Sequence, residues 1–359
     1  MIEHRFGRTL TIGVEEEVMI LDAETLELVP AVEIFVAGAE ARELPGILKT
    51  ELHASIVELN SDVSETVDEA VARIVELRAA VQEIASVNGL TIAAAGSHPT
   101  ARPEELAIAP QQRYADFVEY AGPSARRQGV SGLHVHVGMP DADTCFRVME
   151  TILPWLPLVL ALSANSPYLE GRETGMRSIR AEVLGILPRS GAPPPVRSYA
   201  EWESLVRRMI ETGLAADPTS FWWDVRPHPH FGTLEIRMPD QPTAVERTEA
   251  LVRLLRELCA WALDAPPRPF DPAERGTYEQ NRWAASRFGP HGKLIHPDRA
   301  EALTVAELLQ ELPVQAGELD GRGCEADRQL EVGRADGLRA VCADLVARTQ
   351  GADVRSPGR

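Results

Sequence analysis

Four separated segments of the chain alternate apolar and polar residues with a period of two, which predicts β-strands with one aliphatic face. In residues 9–21, Leu10, Ile12, Val14, Val18 and Ile20 share a face and leave Glu15 and Glu17 on the other. In residues 55–60, Val57 and Leu59 oppose Glu58 and Asn60. Between Gly132 and Gly138 the aliphatics separate from His134 and His136. In residues 232–239, Leu234, Ile236 and Met238 oppose Glu235 and Arg237. Glu16 falls on the apolar face of its strand, so the strand must bulge there or the carboxylate must meet a basic partner.

Helix starts are marked by four capping-box patterns: Thr66-x-x-Glu69, Ser198-x-x-Glu201, Thr243-x-x-Glu246 and Thr304-x-x-Glu307. The first opens a run with Val67, Val71, Ile74, Val81 and Ile84 on one face, closed by Asn88-Gly89. The third leads into Leu251, Leu254, Leu255, Leu258 and Trp261. From about residue 243 onward the pattern predicts only helices and loops. The expected class is α+β: a mostly antiparallel sheet with helices packed on one face and a polar concave face opposite. No loop marks a clear boundary, so residues 1–359 are expected to form a single domain. Its sheet-forming core would span about 9–240 and a mainly helical part about 243–350.

Composition narrows the partners. The net charge of −18, from 54 acids against 36 bases, argues against nucleic acid or an anionic membrane surface. The four cysteines show no C-x-x-C pair, and Cys145 and Cys259 sit in apolar helical contexts as structural thiols. Residues 1–6 contain no apolar signal core. The longest apolar run, residues 152–162, contains two prolines and falls short of the about 20 residues that cross a bilayer. These features predict a reduced, cytoplasmic protein, with a symmetric dimer as the default assembly.

The polar face carries the candidate chemistry. Glu15, Glu17, Glu58 and Glu235, with His134, form an oxygen-rich set that suits Mg²⁺ or Mn²⁺. Two other readings stand beside it: a zinc hydrolase using His134 and His136, and strands whose polar faces simply meet water. The nearby bases are mostly arginines, Arg172, Arg177, Arg180, Arg226 and Arg237, whose planar forks suit carboxylate and phosphate, although a surface ion pair is the commoner role for any one of them. The chain has no Walker-type phosphate loop, no G-x-G-x-x-G and no G-x-S-x-G, which removes the commonest kinases, dehydrogenases and hydrolases.

Seven short motifs occur in a fixed order: Gly13-Val14-Glu15-Glu16-Glu17, Val57-Glu58-Leu59-Asn60, residues 132–138, Leu162-Ser163-Ala164-Asn165-Ser166-Pro167, Trp223-Asp224-Val225-Arg226-Pro227, Glu235-Ile236-Arg237 and Asn281-Arg282-Trp283. Together they resemble the carboxylate–amine ligase family, also called glutamate–cysteine ligase type 2, over about residues 9–298. The resemblance implies a glutamine-synthetase-like fold whose curved antiparallel sheet is the catalytic floor. It implies ATP-dependent joining of a small-molecule carboxylate to an amine, through an acyl phosphate, with glutamate and cysteine as reference substrates. By motif position, Glu15, Glu17, Glu58, His134 and Glu235 would bind magnesium, and Arg237 beside Glu235 would serve the phosphates of ATP. Asn281 and Arg282 would lie on the nucleotide side, and Arg172, Arg177 and Arg180 would hold the substrate carboxylate. Glu51 and His136 remain open as further ligands; for Glu51, a bulge or turn is needed to bring it to the face of Glu58. A different carboxylate and amine pair, or a non-catalytic ATP- or metal-binding relative, are the alternatives within the resemblance.

Overall fold

The computed structural model describes residues 4–351; Met1, Ile2 and Glu3, part of the stretch inspected for a signal core, lie outside the described residues. The main sheet is built from β1 (Ile12–Asp22), β2 (Gly46–Thr50), β3 (Ile56–Ser61), β4 (Leu90–Ala93), β5 (Leu133–Gly138), β6 (Val225–His228) and β7 (Thr233–Ile236). Its order is β6-β7-β5-β1-β3-β2, with β4 pairing the far end of β1, and every pairing in it is antiparallel. All four strands expected from alternation are present. Leu10 is the exception within its segment: it adopts φ 61 and precedes the strand.

The aliphatic face makes the core. Val18, Ile20, Val57, Leu59, Val135, Leu234 and Ile236 have no exposed surface, and burying each contributes about 1.5–3 kcal/mol. The Val67–Val87 helix lies over β1, β3 and β4, the Val245–Asp264 helix over β5, and the Ala142–Ile152 helix over β6 and β7. The first of these starts at a complete capping box, Thr66 with Glu69, and ends at Asn88 before Gly89, whose φ of 68 a side chain would disfavour. Glu16 stays in register opposite Leu59, so there is no bulge. It meets Arg78 of the overlying helix instead, at 2.6 and 2.8 Å.

Three expectations are corrected. The Val245–Asp264 helix has no Thr243 capping box: Ala244 is its N-cap, and the Thr243 hydroxyl accepts from Asn165. The Glu325 carboxylate, about 80 residues away, takes the backbone N–H groups of Thr243 and Ala244 in its place. The C-terminal part is not wholly helical, because Lys293–Ile295 and Ala302–Thr304 form a small antiparallel hairpin. At Ser198 the box is half formed: the hydroxyl caps Glu201, whose carboxylate turns to the N–H of Arg197. Thr304 and Glu307 form a full box.

The apolar run at 152–162 is the end of a longer helical stretch. Ala142–Ser163, 22 residues, is long and apolar enough to cross a membrane, yet 83% of that window is buried inside the fold. It is a core element packed against the Glu274–Phe288 and Val245–Asp264 helices.

The second face of β1 changes character along its length. Glu15 and Glu17 are followed on that face by Met19 and Leu21, which pack with Leu330, Val341 and Leu345 from the Glu325–Asp336 and Leu338–Thr349 helices. The C-terminal helices therefore cover one end of the polar face and leave its acids at the other.

Candidate active site

Register places the polar residues in three rungs across the sheet. Lys49, Glu58, Glu17 and Gly132 occupy the first. Asn60, Glu15 and His134 occupy the second. Gly13, His136, Glu235 and Arg226 occupy the third. Directly opposed residues of an antiparallel pair point to the same side, so each rung presents its side chains together. Gly132 lets Arg180 approach the floor, because a Cβ there would overlap its guanidinium.

At one end Glu17, Glu51 and Glu58 bring ligand oxygens within 4.8 Å of one another. Burial and the neighbouring Glu51 push the Glu17 carboxyl up to about 7. Burial, then Glu15 and Glu51, raises Glu58 well above the usual carboxylate range, and burial also raises Glu51. Three acids that resist ionisation together make a site short of positive charge.

His134 stands beside them. Burial, then Arg237, holds its imidazole near 4, so it is neutral. Nδ1 contacts Glu15 at 3.2 Å and donates the ring's one proton there. That leaves a lone pair on Nε2, which is buried without a hydrogen-bond partner and lies 3.7 Å from Glu17. An imidazole lone pair facing a carboxylate is an arrangement that a cation between them completes.

The other end is already neutralised. Arg226 grips Glu235 with two hydrogen bonds, 2.8 and 3.2 Å, and Arg237 stands 3.7 Å away. Burial alone would raise the Glu235 carboxyl, but Arg226 and Arg237 reverse this and hold it far below its ordinary value. For Glu15, burial is outweighed by His136 and His134, and the carboxyl again sits well below the usual range. His136 is pushed the opposite way by Glu15 against its burial, which favours the imidazolium. His136 is thus held by Glu15 and by the Thr233 hydroxyl, 2.9 Å from its Nδ1, whereas the Nε2 of His134 has no hydrogen-bond partner.

The remaining sequence candidates are scattered. Arg180 reaches the floor, but its terminal nitrogens donate to the carbonyls of Met238 and Arg237. Arg177 pairs with Asp327 at 2.8 Å, and Arg172 is exposed on a two-residue strand. Asn281 exchanges hydrogen bonds with the backbone of Ile295. Arg282 binds Asp224 at 2.7 Å, and the Asp224 carbonyl accepts the N–H of Arg237, so Arg282 supports the Arg237 strand from behind.

Lys49 and the placement of Glu51 were not evident beforehand. Glu51 was expected to need a bulge or a turn to reach the face of Glu58, and it stands in the turn just past β2. Lys49 pairs with Glu58, so Glu51, two residues on, returns to the same face through the β2–β3 turn. Two concavities of ≈ 290 and ≈ 330 Å³ on the helical side share no residue with this floor. Among the charged side chains of their linings, Arg275 pairs with Glu150 and Arg268 with Glu274.

An antiparallel sheet backed by helices, with clustered acids at one end and arginines at the other, makes an α+β fold. Two solved structures share it. A glutamate–cysteine ligase from Francisella tularensis in complex with AMP matches with a TM-score of 0.67 and 14% identity, over 96% of this chain and 89% of that one. A bifunctional glutathione synthetase from Pasteurella multocida matches with a TM-score of 0.65 and 16% identity, over 96% of this chain and 50% of that one. In sequence, residues 11–335 match the model of glutamate-cysteine ligase family 2. A chain of Rubrobacter xylanophilus provisionally named glutamate–cysteine ligase 2-3 is 39% identical over 95% of both chains. A provisionally named glutamate–cysteine ligase 2 of Herpetosiphon aurantiacus is 39% identical over 84% of this chain and 79% of that one. The chain belongs to the glutamate–cysteine ligase family 2.

Proposed function

We propose that this protein is an ATP-dependent carboxylate–amine ligase, with glutamate and cysteine as the first substrates to test. The observation that carries the reading is the Glu17, Glu51 and Glu58 cluster, within 4.8 Å, beside the unpartnered Nε2 of His134. Carboxylate oxygens with one imidazole suit a hard divalent cation. Mg²⁺ or Mn²⁺ held there would neutralise the acids and polarise phosphate oxygens.

The chain's own groups divide the rest of the task. Glu15 fixes the tautomer of His134 and so keeps Nε2 turned to the cluster. Arg226 anchors Glu235, and Glu235 in turn holds Arg237 over the floor. The side chain of Arg237 is 13% exposed, and its one ion-pair contact among the described residues is the long one to Glu235. Its fork is therefore open to the transferring phosphoryl group. In the first step a carboxylate oxygen attacks the γ-phosphorus of ATP and ADP leaves. In the second the amine nitrogen attacks the acyl carbon, phosphate leaves with the C–O bonding pair, and the amine gives up a proton. Positioning and charge stabilisation supply most of such catalysis. The four cysteines are free and buried, which agrees with a reducing, cytoplasmic setting.

Hydroxylamine tests the chemistry, because it traps an activated acyl group without needing the natural amine. With ATP, Mg²⁺ and glutamate it should give a hydroxamate and ADP in equal amounts. A panel of other carboxylates then finds the preferred acid. Release of AMP and pyrophosphate would replace the acyl phosphate with an acyl adenylate. No nucleotide turnover with any carboxylate would make the chain a non-catalytic relative.

A further inference from the structure

The acid cluster has a cation of its own at the rim. Lys49 lies on β2, an edge of the main sheet, directly across from Glu58, which is itself across from Glu17. Its Nζ is 3.6 Å from Glu58, and its side chain is 36% exposed. Lysines on edge strands commonly guard against edge-to-edge pairing, and a cross-strand ion pair of this exposure adds under about 1 kcal/mol. Neither role requires the partner to be a member of the cluster.

Glu58 faces two demands. One of its oxygens belongs to the set within 4.8 Å with Glu17 and Glu51, and its Oε1 meets Lys49. A divalent cation drawing on Glu58 would repel the ammonium and displace it. The strand would still hold Lys49 at the rim of the cluster. A lysine ammonium is a flexible point charge, suited to follow a phosphate oxygen.

We propose that Lys49 is an exchangeable counter-ion: it pairs with Glu58 while the cluster lacks a divalent cation, and turns to a phosphate oxygen of the nucleotide when the cluster holds one. The assignment rests on the ligase reading above and goes beyond it by giving the rim of the floor a nucleotide-binding role.

Lys49→Gln and Lys49→Arg test it by binding alone. Mn²⁺ affinity is read by spin resonance without nucleotide, and ADP affinity by calorimetry with saturating Mn²⁺. Lys49→Gln should bind Mn²⁺ at least as tightly as the wild type, since a competitor for Glu58 is gone. It should bind ADP about tenfold more weakly, the loss expected for one charge-assisted contact. Lys49→Arg should recover most of the ADP affinity. A structural ion pair would not move the two affinities in opposite directions. If Lys49→Gln leaves ADP affinity unchanged, or lowers both affinities together with the melting temperature, the inference is wrong. If ADP affinity holds and only the KM for glutamate rises, the ammonium serves a carboxylate and the phosphate assignment is wrong. Wild-type protein that binds neither Mn²⁺ nor ADP would overturn the ligase reading together with this inference.

Discussion

Glu16 and Glu17 are neighbours with opposite fates. Glu16 has no exposed surface, and a fixed cation answers it: Arg78 binds both its oxygens, and Thr248 donates to one of them at 2.6 Å. Glu17 has no paired guanidinium among the described residues: it takes a backbone N–H from Gly132 and faces the lone-pair side of His134, and burial with the neighbouring Glu51 pushes its carboxyl up to about 7. Parity alone showed that Glu16 needed a partner. It could not show that Arg78 supplies it, because Arg78 belongs to a different element 62 residues on. Arg78→Met should therefore leave a buried carboxylate unpaired and lower stability by about 3–5 kcal/mol. Adding Glu16→Leu to it should recover most of that loss. Guanidinium unfolding midpoints measure both, and a loss below about 1 kcal/mol for Arg78→Met would mean that Thr248 alone satisfies Glu16.

Elements were legible where one face meets core and the other meets the cleft. β1, β3, β5 and β7 alternate for that reason. β2 does not: Leu48 is buried at 6%, while Ile47 on the other face is 54% exposed, so apolar residues fall on both sides. β4 is covered on both faces, all four of its residues are buried, and it carries no period at all. The missed strand β2 is the one that brings Lys49 and Glu51 to the site. The helix at Val245 was legible from its apolar stripe, but its start was misassigned, because Thr243 has the right spacing and another partner. Its cap is long-range. Glu325 accepts from Thr243 and Ala244 and also pairs with Arg348 at 2.7 Å, so one carboxylate ties the C-terminal helices to the positive end of the Val245–Asp264 helix. Glu325→Gln keeps the shape and removes the charge. It should cost about 1–2 kcal/mol in urea unfolding, with Mn²⁺ binding unchanged. Thr243→Val, which leaves the backbone cap in place, should leave the helix start unaltered by hydrogen exchange at the first turn.

For the molecule as a whole, the class of fold, the polar face and most of its acids followed from alternation and motif order. What did not follow was how the charges are shared out: which acids are answered by Arg226, Arg78 or His136, and which are left in want of a cation. That division makes the effect of metal depend on pH. Burial and Glu51 hold Glu17 near 7, and Glu51 and Glu58 are raised too. A carboxyl whose folded pKa lies above its unfolded one contributes stability that is complete below about 4.5 and is lost as pH rises through the folded value. Metal-free protein thus carries a growing penalty at this site between about pH 4.5 and the region above 7. Three histidines held near 4, His53, His134 and His228, act in the opposite sense: their contribution is complete above about 6.5 and is lost as pH falls toward 4. The metal-free stability curve therefore mixes both, and the difference made by Mn²⁺ is the cleaner quantity. A cation binds the ionised acids and the neutral imidazole, so its stabilisation should be small at about pH 5.5 and rise through 7. At about pH 8, with Mn²⁺ about a hundredfold above its Kd, melting temperature should rise by about 4 °C over protein in chelator. Glu17→Gln should lose most of this shift and flatten its pH dependence. A metal-induced shift of equal size at both pH values would show that the three acids are ionised together without a cation.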